Sequence, residues 1–174
     1  MILKGNSTAV TSATTLGNAT KFRVFATNAD TLTIAAATIT FNGASDVTDA
    51  DDEIASTSHP FRTGQEVTYS DGGGTVITGL VSGQRYFVIS EDANTIKLAA
   101  TELDAVKLAF DGTAAGIAID ITSGVGAAHT LTTISGFTGS IDLAANEVVI
   151  IEKGATDTVA CGAAMSCTPI AHST

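Results

Sequence analysis

The stretch Tyr69–Thr101, YSDGGGTVITGLVSGQRYFVISEDANTIKLAAT, decides how the chain is built. In RYFVIS, Tyr86 and Val88 fall on one face and Phe87 and Ile89 on the other. That period of two belongs to a strand, whose successive side chains point to opposite sides. EDANT then reads as a turn, and Ile96 and Leu98 share a face beyond it. Upstream, Val67 and Tyr69 share a face, SDGGGT turns the chain, Val76 or Ile77 begins the return, and GLVSGQ makes another corner. Gly64, Gly72, Gly73, Gly74, Gly79 and Gly83 are the expected corner residues, because a residue without Cβ enters the positive-φ conformations that tight turns use. Short strands with turn signals about every eight to twelve residues imply an all-β chain, a small sandwich or barrel.

The same period runs outward from this stretch. In TKFRVFATN, Phe22, Val24 and Ala26 oppose Lys21, Arg23 and Phe25; in TLTIAAATITFNG, Leu32, Ile34, Ile39 and Phe41 precede an Asn42-Gly43 turn signal. NEVVIIEKG is apolar on both faces, Val148 and Ile150 on one and Val149 and Ile151 on the other. A strand of that kind is expected in a central or sandwiched position, and these four residues are the expected assembly contacts. Only ATELDAVKLAF, with Leu103, Val106 and Ala109 at helical spacing, suggests a single helical turn. Residues 1–20 are mostly small and polar and read as an extended arm that orders against a neighbouring subunit. CTPIAHST reads as a closing extended segment. The remaining pattern suggests nesting: an outer β domain of 21–45 plus 130–174, and a second small β module of 46–129 inserted in one of its loops, where insertions are tolerated if the ends lie close together.

Composition narrows the function. Eight Lys and Arg face eighteen Asp and Glu, a formal charge of -10. Phosphate backbones need a basic stripe and anionic lipids attract basic segments, so the balance argues against nucleic acid and against membrane attraction. No run approaches the ~18 apolar residues of a membrane span. MILKGNSTAV has no apolar core of a secretion signal, so synthesis in a cytoplasm that keeps thiols reduced is expected. Cys161 and Cys167 are read either as half-buried free thiols or as a pair across a tight hairpin. Aromatic residues make up 5% of the chain, too few large anchors for a thick core, which points to thin layers or to neighbours in an assembly.

The module HPFRTGQEVTYSDGGGTVITGLVSGQRYFVISEDANTIKLAAT resembles a repeat unit of large bacterial surface and adhesin-like proteins and of phage virion proteins. The likeness runs through His59, Thr63-Gly64, Val67, Tyr69, Gly72-Gly73-Gly74, Gly79-Leu80, Gly83, Tyr86-Phe87-Val88 and Asn94–Ala99. It continues in GTAAGIAIDITSGVGAAHTL, ending on His129-Thr130-Leu131, and departs at Pro60-Phe61, where such modules more often carry a glycine after the histidine. ATKFRVFATNADTLTI and GSIDLAANEVVIIEKGATDTVAC, with the step Thr156-Asp157-Thr158 and a closing strand before Pro169, are similar to small virion proteins of tailed phages, marine and cyanobacterial ones especially. The resemblance implies a non-enzymatic structural protein of the particle. The expected role is a capsid decoration or cement protein on the shell exterior, bound to the major capsid protein or other virion proteins and associated with itself, a trimer being one candidate form. A neck, tail or fibre component and a carbohydrate-binding adhesin-like module, with Tyr69, Tyr86 and Phe87 as its aromatics, are the alternatives. No cofactor is expected.

Chemical sites are sparse. Asp46, Asp49, Asp51, Asp52 and Glu53 could wrap a Ca²⁺, which takes six to eight oxygens, but their spacing fails the EF-hand loop; a solvated acidic linker is the plainer reading. His59, His129 and His172 have no ligand spacing, though His59 and His129 bracket the module and could meet where its ends close. Cys167 and His172 would fall on opposite faces of a strand. Glu66, Glu91 and Asp92 could form a carboxylate pair for glycoside chemistry, and DGGGT lacks the ending of a phosphate loop. Asn6-Ser7-Thr8 and Asn18-Ala19-Thr20 fit a glycosylation pattern. Arg62, Arg85, Lys97 and Lys107 are expected as solvent-facing charges that discourage edge pairing.

Overall fold

The computed structural model describes residues 2–3, 8–9, 13, 15–16, 19–107, 116–124, 126, 128–134, 138–161 and 165–171. In chain order its elements are β1 (Ile2–Leu3), β2 (Thr8–Ala9), β3 (Lys21–Ala26), β4 (Asp30–Ala35), β5 (Thr38–Phe41), β6 (Val47–Thr48), β7 (Glu53–Ala55) and β8 (Glu66–Ser70). There follow β9 (Arg85–Ser90), β10 (Thr95–Ala99), α1 (Glu102–Val106), β11 (His129–Thr133), β12 (Gly139–Leu143), β13 (Val148–Glu152), β14 (Thr158–Cys161) and β15 (Met165–Ala171). The chain is almost entirely β, and among the described residues no helix is long and apolar enough to cross a membrane. It divides into two compact units, Met1–Ala37 with Ser135–Thr174, and Thr38–Ile134.

The first unit is an antiparallel sandwich. One sheet runs β1-β15-β3-β13, with β2 also on β15; the other runs β12-β4-β14. Alternation sends Phe22, Val24 and Ala26 of β3, Leu32 and Ile34 of β4, Val159 and Cys161 of β14, and Met165 and Cys167 of β15 into one shared core. Each large side chain so buried contributes roughly 1.5–3 kcal/mol. The opposite face of β4 is polar: Thr31 Oγ1 donates to Asp142 Oδ1 at 2.6 Å, and Thr33 Oγ1 and Ser140 Oγ lie 3.1 Å apart.

Two expectations change here. The described parts of the N-terminal arm bond within their own chain, Ile2↔Ala171 and Thr8↔Cys167, and Leu16 is buried in the sandwich core. With β3 on one side, β15 offers its other row of backbone groups, and the arm fills it. The expected central strand, β13, is an edge: it bonds to β3 alone among the described strands. Its apolar outer face is left uncovered rather than sandwiched.

The second unit is built on one seven-stranded antiparallel sheet, β5-β11-β8-β9-β10-β7-β6. Its boundaries lie outside the expected 45/46 and 129/130, because β5 and β11 pair with each other (Ile39↔Leu131) and β11 continues onto β8 (Leu131↔Tyr69). Ile39 and Phe41 therefore belong to this sheet rather than with Leu32 and Ile34. Ile54, Val67, Tyr69, Val88, Ile96, Leu98 and Leu131 are buried. On the reverse side, Ile89 and Ala99 pack with Ala105 of α1, Phe87 and Ala118, which accounts for the apolar character of β9 on both faces. Thr101 caps α1, its Oγ1 accepting the Asp104 N–H at 3.1 Å. The buried residue of α1 is Ala105, while Leu103, assigned to the apolar face by spacing, is 69% exposed; Ala109 lies outside the described residues.

Of the expected corner glycines, Gly64, Gly72, Gly73, Gly79 and Gly83 take positive φ and Gly74 does not. The requirement is strictest at Gly72 and Gly79, where a Cβ would overlap the carbonyl oxygens of Ala128 and Asp120. The acidic run is no linker: it forms β6, β7 and the turn between them, with Val47 paired to Ile54.

Candidate functional site

The sandwich edge carries two exposed aliphatic side chains on one strand, Val148 and Ile150. Register places Val148 against Phe25, Val149 against Val24, Ile150 against Arg23, Ile151 against Phe22 and Glu152 against Lys21. Of the four expected contact residues, Ile151 is buried in the core and Val149 packs partly against it. They are therefore structural, because the parity that exposes their neighbours points them inward. Val148 and Ile150 are 51% and 54% exposed. Beside them Lys21 forms an ion pair with Glu152. At the far end of β13, Lys153 folds back, its Nζ donating to the carbonyls of Gly154 (3.0 Å) and Ala155 (3.3 Å). Asp157 Oδ2 accepts the Gly154 N–H at 2.8 Å. Lys153, Thr156 and Asp157 are all buried, so the Thr156-Asp157-Thr158 step belongs to a closed polar turn rather than an open loop.

The second unit contains a buried polar centre that pattern reading misses. Tyr69 and His129, both fully buried, stack with ring planes 7° apart. Tyr69 Oη lies 2.8 Å from His129 Nδ1 and accepts the Ile77 N–H at 3.1 Å. Burial pushes the Tyr69 phenol above its ordinary pKa, with the Ile77 N–H pulling the other way. His129 Nε2 is buried and has no hydrogen-bond partner among the described residues; it packs against Gly43, where a Cβ would stand 2.8 Å away. The centre fixes the β5, β8 and β11 strands and the return at Ile77. Its signal was the inward parity of Tyr69 and His129, which does not reveal that their strands are neighbours.

The other sequence candidates separate. His59 Nε2 contacts the Asp92 carbonyl oxygen at 2.8 Å, so His59 and His129 have different partners; His172 lies outside the described residues. The carboxylates proposed for Ca²⁺ are occupied as backbone and side-chain acceptors. Asp46 takes Asn42 N–H (2.8 Å) and the Ser45 hydroxyl (2.7 Å), Asp52 takes Ile121 N–H (3.0 Å), and Asp49 takes Ser123 N–H. Glu53 stands 3.6 Å from Lys97 and Asp51 is exposed. Among the described residues no three His, Cys, Asp or Glu side chains come together to hold a metal. Short polar segments capture loop N–H groups here, which uses the lone pairs a cation would need.

Glu66 pairs with Arg85 at 3.3 Å and Glu91 with Lys97 at 3.6 Å, while Asp92 Oδ1 accepts the Asn94 N–H at 2.6 Å. Each acid of the supposed dyad is thus engaged separately. Lys97 is half-buried between two glutamates rather than solvent-facing. Tyr69 and Tyr86 are buried and do not offer a sugar platform; the Tyr86 hydroxyl accepts the Val81 N–H at 2.8 Å.

Cys161 and Cys167 are thiols rather than a disulfide, and both are buried rather than half-buried. They lie on strands of different sheets, β14 and β15. Burial, with Cys161 adding to it, pushes the Cys167 thiol up to about 12. A thiol held protonated in this way is a poor nucleophile. No protein-family model, curated protein or solved structure matches the chain.

Proposed function

We propose that the chain is a non-catalytic structural protein of a tailed-phage particle, a decoration or cement protein seated on the capsid shell. The observation that carries this reading is the sandwich edge: a proline-free strand with Val148 and Ile150 about half exposed in a chain of charge -10. Acidic surface keeps particles soluble and apart, whereas an apolar strand edge recruits a neighbour. The motif likeness at the module and at Thr156-Asp157-Thr158 supports the same assignment. Many small contacts repeated over a lattice add to firm retention, because each raises the effective concentration of the next.

The test is quantitative mass spectrometry of purified particles of the virus whose genome encodes the chain. A capsid coat gives on the order of hundreds of copies, and a neck, tail or fibre part about six to a few tens. Absence from the particles removes the reading.

A further inference from the structure

We propose that β13 is a homotypic docking edge: two copies of this chain join β13 to β13, antiparallel, and make one continuous sheet across the pair. The inference deepens the structural reading above and names the first partner as a second copy.

The backbone argument comes first. Lys153 N–H donates to the Thr20 carbonyl at 2.9 Å and Ala26 N–H donates to the Glu147 carbonyl at 3.0 Å. Both lie in the register that pairs Val149 with Val24 and Ile151 with Phe22. Antiparallel ladders alternate bonded and non-bonded pairs. Residues 149 and 151 therefore bond to β3, and Val148 and Ile150 turn both N–H and C=O outward. Among the described residues no second strand meets them.

The side chains then choose the occupant. An antiparallel pairing with its two-fold axis at Val149 sets Val148 opposite Ile150 of the second copy, and Ile150 opposite Val148 of the second copy. Each of these is a hydrogen-bonded pair, so four backbone bonds form. All four half-exposed aliphatic side chains meet on one face, flanked by Phe25 and Arg23 of each copy, which stand opposite them on β3. Cross-strand aliphatic pairs of this kind contribute favourably.

Charge permits the approach here. The chain is strongly acidic, but around this edge Lys21 and Arg23 balance Glu147 and Glu152, and the Lys21–Glu152 ion pair is already formed within the chain. Two copies can meet on a locally neutral strip while their acidic surfaces repel elsewhere. The contact is small, so association in solution is concentration-dependent, and a lattice strengthens it.

Sedimentation velocity of the full chain over a concentration series reads the result. The expected outcome is a shift from monomer to dimer with rising concentration. Ile150→Pro deletes an outward N–H while leaving the β3 ladder complete, a tolerated use of proline at a strand edge, and abolishes the dimer with the circular dichroism spectrum unchanged. Should that variant misfold, Val148→Lys with Ile150→Lys keeps the backbone and must also be monomeric. Ile117→Lys, at an aliphatic 53% exposed in the other unit, must still dimerise. A parent chain that is monomeric at every concentration, or edge variants that dimerise like the parent, overturn the proposal. A monomeric chain found in purified particles overturns this pairing and leaves the particle reading intact. A β13-dependent dimer absent from particles does the reverse.

Discussion

Tyr69 Oη and His129 Nδ1 lie 2.8 Å apart at the centre of the second unit, on residues 60 positions apart in sequence and fully buried. The pair couples three strands at once, because Tyr69 sits on β8, His129 on β11 opposite Phe41 of β5, and Ile77 donates to the same hydroxyl. Tyr69→Phe keeps the ring and removes the hydroxyl, leaving the Ile77 N–H and the His129 ring nitrogen without their partner. The expected cost is about 1–3 kcal/mol, read as a lower urea midpoint with unchanged slope. Gly43→Ala tests the other side of the ring, where a Cβ would stand 2.8 Å from Nε2, and overpacking there is expected to cost about 1–3 kcal/mol.

The corner glycines separate into two kinds. Gly79 has φ +93 and its Cβ would overlap the Asp120 carbonyl oxygen, next to the Thr78↔Thr122 bridge; Gly83 has φ +82 with nothing within 4 Å. Gly83→Ala is therefore expected to cost about 1–2 kcal/mol, the left-handed backbone alone. Gly79→Ala must cost clearly more, since backbone has to move. Equal losses in parallel thermal melts would show that the corner at Gly79 is not held as described.

The Cys167 thiol predicts a pH dependence whose sign is fixed by burial. Its pKa rises from 9.0 to about 12 on folding, so the folded state holds the proton more tightly than the unfolded chain. The stability linked to it is complete below pH 9 and is lost as the pH climbs toward 12. Cys167→Ala is expected to flatten the fall of the melting temperature across that window relative to the parent chain. A thiol reagent at neutral pH should label neither cysteine until denaturant is added.

Much of the fold was legible because period and punctuation agree in the middle of the chain. RYFVIS and TIKLA become β9 and β10, joined at Glu91–Asn94. What stayed hidden was partnership. The apolar period slips by one residue between Ile34 and Ile39, yet a slip of that kind does not by itself assign β4 and β5 to different units; the division is made by long-range pairing of β5 with β11. Parity placed Val148 and Ile150 together and Val149 and Ile151 together, but it does not say which face a second sheet covers. The acids at 46–53 looked like solvated charge; their role as acceptors for Ile121 and Ser123 N–H depends on a loop about seventy residues away.

β4 and β12 are direct antiparallel neighbours, Ile34 opposite Gly139, and the whole of Thr38–Ile134 is the connection between them. Closing so long a connection while it is unfolded carries an entropic penalty that grows with the logarithm of its length. Once β5 and β11 are zipped, Thr38 and Thr132 stand across one ladder rung, and the remaining gap is a few residues on either side. The intervening module thus acts as a clasp: when it assembles first, only a short loop is left for the sandwich to close.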